Sequence, residues 1–137
     1  CQSIKMAAII VRDGRIISQG LNGSPAGFLN CNEVFPVKES KEFDREKHHE
    51  WSQRFEIHCE LNALLFAAKH GISLNNTIMY VTYQPCSNCV KNIISAGIKK
   101  IIYENDYDKS EWTDDTILLF KKTGVEILKY SDTKSQE

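Results

Sequence analysis

Two short stretches constrain this chain more than anything else in it: His58-Cys59-Glu60 and Pro85-Cys86-Ser87-Asn88-Cys89. One histidine and two cysteines can hold a zinc ion on three corners of a tetrahedron, which leaves the fourth corner for water. Three protein ligands point to catalysis, whereas four point to scaffolding. Zinc lowers the pKa of a bound water towards neutrality, so a hydroxide nucleophile exists at physiological pH. Glu60, two residues beyond His58, can approach that water from a helix start without taking the open position. A carboxylate there can accept a proton from the water and return it elsewhere on a substrate. A lone H-x-E occurs by chance, and a lone C-x-x-C also suits a redox pair, a structural half-site or two buried thiols. Together, with a proline directly before Cys86 and a helical pattern after each half, they match the joint signature of zinc nucleobase chemistry. A fourth, structural ligand nearby could only be Cys59, which is expected to point away where His58 points in.

The rest of the chain reads as a scaffold for that pair. Its 137 residues fit one domain with a sizeable core. The apolar run Met6-Ala7-Ala8-Ile9-Ile10-Val11, then Asp13-Gly14, then Ile16-Ile17-Ser18 predicts a tight antiparallel hairpin. Residues 20–27 are too rich in glycine and proline for helix or strand, so the second strand is expected to empty into an exposed loop. Such a loop either carries binding groups or simply connects. Residues 31–42 show no periodicity and read as a surface insertion. Residues 41–55 suggest an exposed helix with one packed side, with Lys47-His48-His49-Glu50 on a solvated face by default.

Residues 60–70 predict an amphipathic helix stopped by Gly71, with Leu61, Leu64, Leu65 and Ala68 towards a sheet. Thr77–Tyr83 is β-branched and aromatic, a buried strand delivering Cys86 at its end. Cys86 and Cys89, three apart, share one face of the next helical turn. Two helix N-termini therefore converge on the metal, where their partial positive charge favours thiolates. A helix then runs through Ile93 and Ile94 to Gly97, followed by a strand over 98–103. Asp114 reads as the N-cap of a further helix through Phe120, closed by Gly124, before a last strand over 125–128 and a polar, frayed tail. Strands alternating with helices predict an α/β fold, a three-layer α/β/α sandwich around a mixed, roughly five-stranded sheet.

Charge narrows the partners. Seventeen lysines and arginines against eighteen aspartates and glutamates give a net charge of -1, so there is no basic excess to draw a nucleic-acid backbone. Five cysteines with no signal peptide or long apolar span argue for a reducing compartment, no membrane and metal rather than disulfides. The chain opens on Cys1, which suggests that a short N-terminal segment precedes it. Cys1, Cys31, His48 and Glu56 are further residues of metal-ligating type.

The chain resembles the deoxycytidylate (dCMP) deaminases, those of tailed bacteriophages in particular. The resemblance rests on Gly20-Leu21-Asn22-Gly23-Ser24-Pro25, on residues 56–63, on residues 80–89, and on Ala96-Gly97-Ile98-Lys99-Lys100 with Tyr107-Asp108-Lys109. It implies a cytidine deaminase-like fold, catalytic zinc on His58, Cys86 and Cys89, and Glu60 as proton shuttle in the hydrolysis of dCMP to dUMP for thymidylate synthesis. It implies substrate contacts from Asn22 (sugar), Ser24 (phosphate), the Cys59 N–H (pyrimidine) and Tyr107 (ring). A second, structural zinc would sit on Cys1, Cys31, His48 and Glu56, with His49 the rival ligand. Activation by dCTP and inhibition by dTTP, each with Mg2+, in a cytoplasmic homohexamer is also implied. Gly20, Leu21, Gly23, Phe66 and Lys69 fall at the effector positions, although the family usually has tyrosine at Leu21 and arginine at Lys69, and lysine cannot reproduce a two-pronged arginine contact. The competing readings are a deaminase of another free nucleoside or base, or of tRNA, and a nucleotide-binding zinc protein without turnover.

Overall fold

The structure, a computed structural model, describes residues 5–35, 44–107 and 112–134. The hairpin forms as its sequence dictates. Strand β1 (Ala7–Arg12) returns as β2 (Arg15–Leu21) through Asp13 and Gly14, both at positive φ (51° and 74°). That is the backbone of the two-residue turn that matches strand twist. Strand β2 does not end where its glycine predicts. It continues through Gly20, because the backbone there lies directly on a helix and a Cβ at Gly20 would come within 2.2 Å of the Cys59 carbonyl. A glycine read as a loop signal is here a close-approach residue.

The one-turn helix α1 (Cys31–Val34) and helix α2 (Arg45–Phe55) follow. The side chain of Asp44 caps α2 by accepting from the Lys47 N–H at 3.1 Å. Helix α3 (Cys59–His70) ends at Gly71 in the left-handed conformation, the expected stop. Strand β3 (Thr77–Tyr83), helix α4 (Ser87–Ser95), strand β4 (Ile98–Asn105), helix α5 (Asp114–Thr123), strand β5 (Glu126–Lys129) and the single turn α6 (Tyr130–Thr133) complete the described chain. The N-cap of α5 is Thr113 rather than Asp114, which instead places its carboxylate in the first turn, where it favours the positive end of the helix dipole. The tail after Tyr130, expected to fray, is wound into α6 as far as Thr133, and residues 135–137 lie outside the described residues.

The five strands lie in the order β2-β1-β3-β4-β5. β1 is antiparallel to both neighbours, and β3, β4 and β5 run parallel. The sheet is therefore mixed, as expected. Ala8, Ile10, Met79, Val81 and Ile101 form one of its faces and bury against Ala63, Leu64 and Ala67 of α3, Val90 and Ile93 of α4 and Phe120 of α5. Each large aliphatic side chain so buried stabilises the fold by about 1.5–3 kcal/mol. The opposite face carries α6: Ile9, Tyr80, Ile102 and Tyr130 line a shallow apolar groove of about 360 Å³.

Helix α3 is rotated from the expected stripe. Ala63, Leu64 and Ala67 face the sheet, while Leu65 is 46% exposed and Ala68 is exposed. Apolar residues surround this helix on several sides, so periodicity alone did not decide the face. The small side chains do, since they let β2 come close: Ser18 Oγ donates to the Ala63 carbonyl at 2.6 Å. Phe66, one of the expected effector positions, lies on the surface at 45% exposure and packs on the His70 ring.

Candidate active site

Two helix starts make the site. His58 is the N-cap of α3 and Cys86 the N-cap of α4. Both residues have extended backbone, so each side chain swings off the helix axis instead of along it. Cys89 sits in the first turn of α4 and is buried. The Sγ atoms of Cys86 and Cys89 each lie 3.5 Å from His58 Nδ1. All three ligand atoms fall within 4.8 Å of one another, and one borderline-soft divalent ion suits an imidazole with two sulfurs. Cys59 stands outside this group, as expected. Its buried thiol turns to the carboxylate of Glu60 and donates to Oε2 at 3.3 Å.

The electrostatics fit a cation-binding centre. Hydrogen bonding with Cys89 holds the Cys86 thiol down to about 4, and Cys89 is pushed up correspondingly, so the two sulfurs readily share one proton. His58 is raised, first by its hydrogen bond with Cys86, against the opposing effect of burial. Burial pushes the Glu60 carboxyl up from the ordinary carboxylate range; it is 5% exposed. Burial and the neighbouring Glu60 charge raise the Cys59 thiol, which makes it an inert hydrogen-bond donor rather than a ligand.

Of the expected substrate groups, Asn22 and Cys59 meet. Asn22 Oδ1 accepts from the Cys59 N–H at 2.7 Å, so two groups assigned to the sugar and the pyrimidine hold each other in place. The Ser24 hydroxyl is buried without a partner among the described residues. Tyr107 stands edge-on to Tyr83, ring centroids 6.3 Å apart. Among the expected effector positions, Leu21 is 67% exposed and Lys69 is exposed, Gly20 is pressed against α3, and Gly23 pairs with Ile57.

A second group forms away from the first. Cys31, His48 and Glu56 bring their ligand atoms within 4.8 Å of one another, with Cys31 Sγ 3.0 Å from His48 Nε2. The solvated-face reading of residues 47–50 therefore fails at His48, which is 9% exposed, because α2 turns it inwards against the ring of Phe35. His49 lies on the other side, exposed and hydrogen-bonded to Gln53 at 3.0 Å. Cys1 lies outside the described residues. Sequence reasoning missed Trp112, whose Nε1–H donates to the Pro85 carbonyl at 2.9 Å and steadies the approach to Cys86. No local pattern marks such a residue.

Comparison with known proteins agrees with this geometry. Residues 1–105 match the model of the cytidine and deoxycytidylate deaminase zinc-binding region. The chain belongs to the cytidine and deoxycytidylate deaminase family. The deoxycytidylate deaminases of Enterobacteria phages T2 and T4 are 39% identical to it in alignments that cover 93% of this chain and 81% and 79% of theirs. Among solved structures, the dCMP deaminase of cyanophage S-TIM5 in complex with dCMP and dUMP is 34% identical, covers 94% of this chain and 83% of its own, and superposes with a TM-score of 0.69. As a deaminase of this family the chain carries a zinc-binding His-Cys-Cys set. No helix among the described residues is long and apolar enough to cross a membrane.

Proposed function

We propose that this chain hydrolyses dCMP to dUMP and ammonia. One observation carries the reading: a buried carboxylate, Glu60, stands beside three convergent ligand atoms at two helix starts. The dCMP specificity is supported by the phage relatives and by the related structure with dCMP and dUMP.

His58, Cys86 and Cys89 would hold a zinc ion, which when bound would make its water acidic enough to act as a nucleophile near neutral pH. The chain's own groups do the rest. Glu60 accepts a proton from the attacking water and passes it to cytosine N3. An oxygen–C4 bond forms, Glu60 relays the second proton to the exocyclic nitrogen, and the C4–N bond breaks to release ammonia and leave the C4 carbonyl. Burial suits Glu60 to this, since it raises the carboxyl above the ordinary carboxylate range and so makes it a better proton acceptor. Asn22, its Oδ1 held by the Cys59 N–H, turns its amide nitrogen to the sugar, the unpartnered Ser24 hydroxyl donates to a phosphate oxygen, and Tyr107 flanks the base; a ring contact from the Cys59 N–H would need that bond to Asn22 to open.

The same reading assigns a structural zinc to Cys31, His48 and Glu56, whose mixed sulfur, nitrogen and oxygen donors fit that ion; the implied Cys1 would complete the four. It also assigns control by dCTP and dTTP with Mg2+ in a homohexamer, and supply of dUMP for thymidylate synthesis. These last rest on the resemblance, and the exposure of Leu21, Phe66 and Lys69 is compatible with them. The deciding assay follows absorbance of dCMP, deoxycytidine and CMP side by side with zinc-replete protein, adding each triphosphate in turn. Loss of dCMP alone is the expected result, and equal rates on deoxycytidine would refute phosphate recognition. Glu60→Gln is expected to lower the rate by about 10²–10⁴-fold with zinc content unchanged; a near-parental rate would remove Glu60 from the mechanism.

A further inference from the structure

One polar side chain that the reaction scheme does not use ties the substrate loop to the metal-bearing turn. Asn62 lies in the first turns of α3, and its own N–H donates to the His58 carbonyl at 2.9 Å. Its side-chain Nδ2 donates to the Leu21 carbonyl at 2.7 Å and lies 3.3 Å from the Ile57 carbonyl. The segments so joined are already paired. Gly23 and Ile57 exchange two backbone hydrogen bonds, at 2.8 and 3.2 Å, in an isolated bridge outside the sheet. Asn22 Oδ1 takes the Cys59 N–H in the same clasp.

The chemistry of this contact is specific. A primary amide nitrogen has two hydrogens and can serve two carbonyls at once, whereas a carboxylate of the same shape offers none and would repel both oxygens. The Leu21 side chain, 67% exposed, adds no packing to its strand end, which is held by the pairing with Ala7 and by the Leu21 carbonyl's bond to Asn62. On its other side Gly20 rests directly on the Cys59 carbonyl. Asn62 therefore fixes the distance between residues 21–23 and residues 57–59 at the point where Asn22 meets Cys59.

We propose that Asn62 is a positioning residue for the deamination: it holds Asn22 in register with the His58–Glu60 turn and so governs substrate affinity, with the metal set and the proton transfer left intact. The proposal rests on the reading of Asn22 as a substrate contact. It is tested with zinc-loaded Asn62→Ala, Asn22→Ala and the double variant, for which zinc per chain, KM and kcat for dCMP and the amide exchange of Gly23 and Ile57 are measured. Asn62→Asp, which keeps the shape and removes the donors, gives the same readouts should Asn62→Ala fail to fold.

The expected result for Asn62→Ala is parental zinc content, faster exchange at Gly23 and Ile57, KM raised about fivefold or more and kcat within about threefold. In the Asn22→Ala background the same change should add less than about twofold to KM, because Asn62 acts through the placement of Asn22. A parental KM, a loss of zinc together with kcat, or KM effects that multiply would each overturn the proposal. Asn22→Ala with a parental KM would remove the substrate reading of Asn22 and this proposal together. KM raised by Asn22→Ala but not by Asn62→Ala would remove the proposal alone.

Discussion

The molecule holds two clusters of metal-ligating side chains, and they are built on different ground. His58, Cys86 and Cys89 stand at the starts of two helices that pack on the buried face of the sheet. Cys31, His48 and Glu56 come from a one-turn helix, the middle of α2 and its C-cap. Aromatic rings pack around them: Phe28 stacks on Phe55 at 4.8 Å, while Trp51 meets Phe35 at 5.9 Å and Phe55 at 5.8 Å. The catalytic cluster inherits its geometry from the core; the second must be held by its own ligands and rings. A group placed by a sheet keeps its position when the ion leaves, whereas a group placed by a loop and a lone helix depends on what it binds.

The largest expected effect contrasts the cysteines. Cys86→Ala should lose the catalytic zinc and reduce activity by at least about 10³-fold, with the fold retained by circular dichroism. Cys31→Ala should lose a different equivalent of metal, keep activity within about tenfold and lower the thermal midpoint. Zinc counted per chain beside both measurements decides it, and a Cys31→Ala protein that keeps its catalytic zinc yet is inactive would break the contrast.

A smaller effect probes the ground under the catalytic cluster. Gly20→Ala drives a Cβ to 2.2 Å from the Cys59 carbonyl and 2.5 Å from the Ala63 nitrogen. Backbone on both sides has to shift, at a cost of about 1–3 kcal/mol. Gly23→Ala meets nothing within 4 Å and should change stability by less than about 0.5 kcal/mol. Equal denaturant midpoints for the two variants would contradict the close approach of β2 to α3.

The smallest effect lies under the second cluster. The Lys47 N–H holds the Asp44 carboxyl below its ordinary value of 3.8. Because the folded value is the lower one, the stabilisation of α2 is present above the unfolded value and is lost as pH falls through the folded one. Acidification below pH 4 should therefore loosen α2 before α3, as amide exchange resolved by residue would show. Asp44→Asn, which keeps a capping oxygen, should flatten that dependence.

What could be read in the sequence follows the same division. Asp13-Gly14, the strand Thr77–Tyr83 and the glycine stops at Gly71 and Gly124 obey local rules, since turn conformation and helix termination depend on the residues themselves. The convergence of His58, Cys86 and Cys89 was legible because H-x-E and C-x-x-C each fit within one helical turn. Gly20 was misread because the atom it makes room for is 39 residues away in the chain, and the face of α3 because side-chain size rather than hydrophobicity selects it. His48 looked solvated for a related reason. Lys47, His49 and Glu50 surround it in sequence, while its neighbours in space are Cys31 and Phe35. Asn62 and Trp112 act on carbonyl oxygens, and no sequence pattern records a carbonyl's position.

The N-caps of α3 and α4 carry one further consequence. Helices commonly begin on Ser, Thr, Asp or Asn, whose oxygen satisfies a free N–H and is worth about 1 kcal/mol. Here those places are taken by His58 and Cys86, and neither side chain caps its helix. Each helix start therefore forgoes a cap from its own first residue, and at α3 the Cys59 N–H is taken instead by Asn22 from the end of β2. Two positions that could have served as caps hold instead two ligands aimed at a common point.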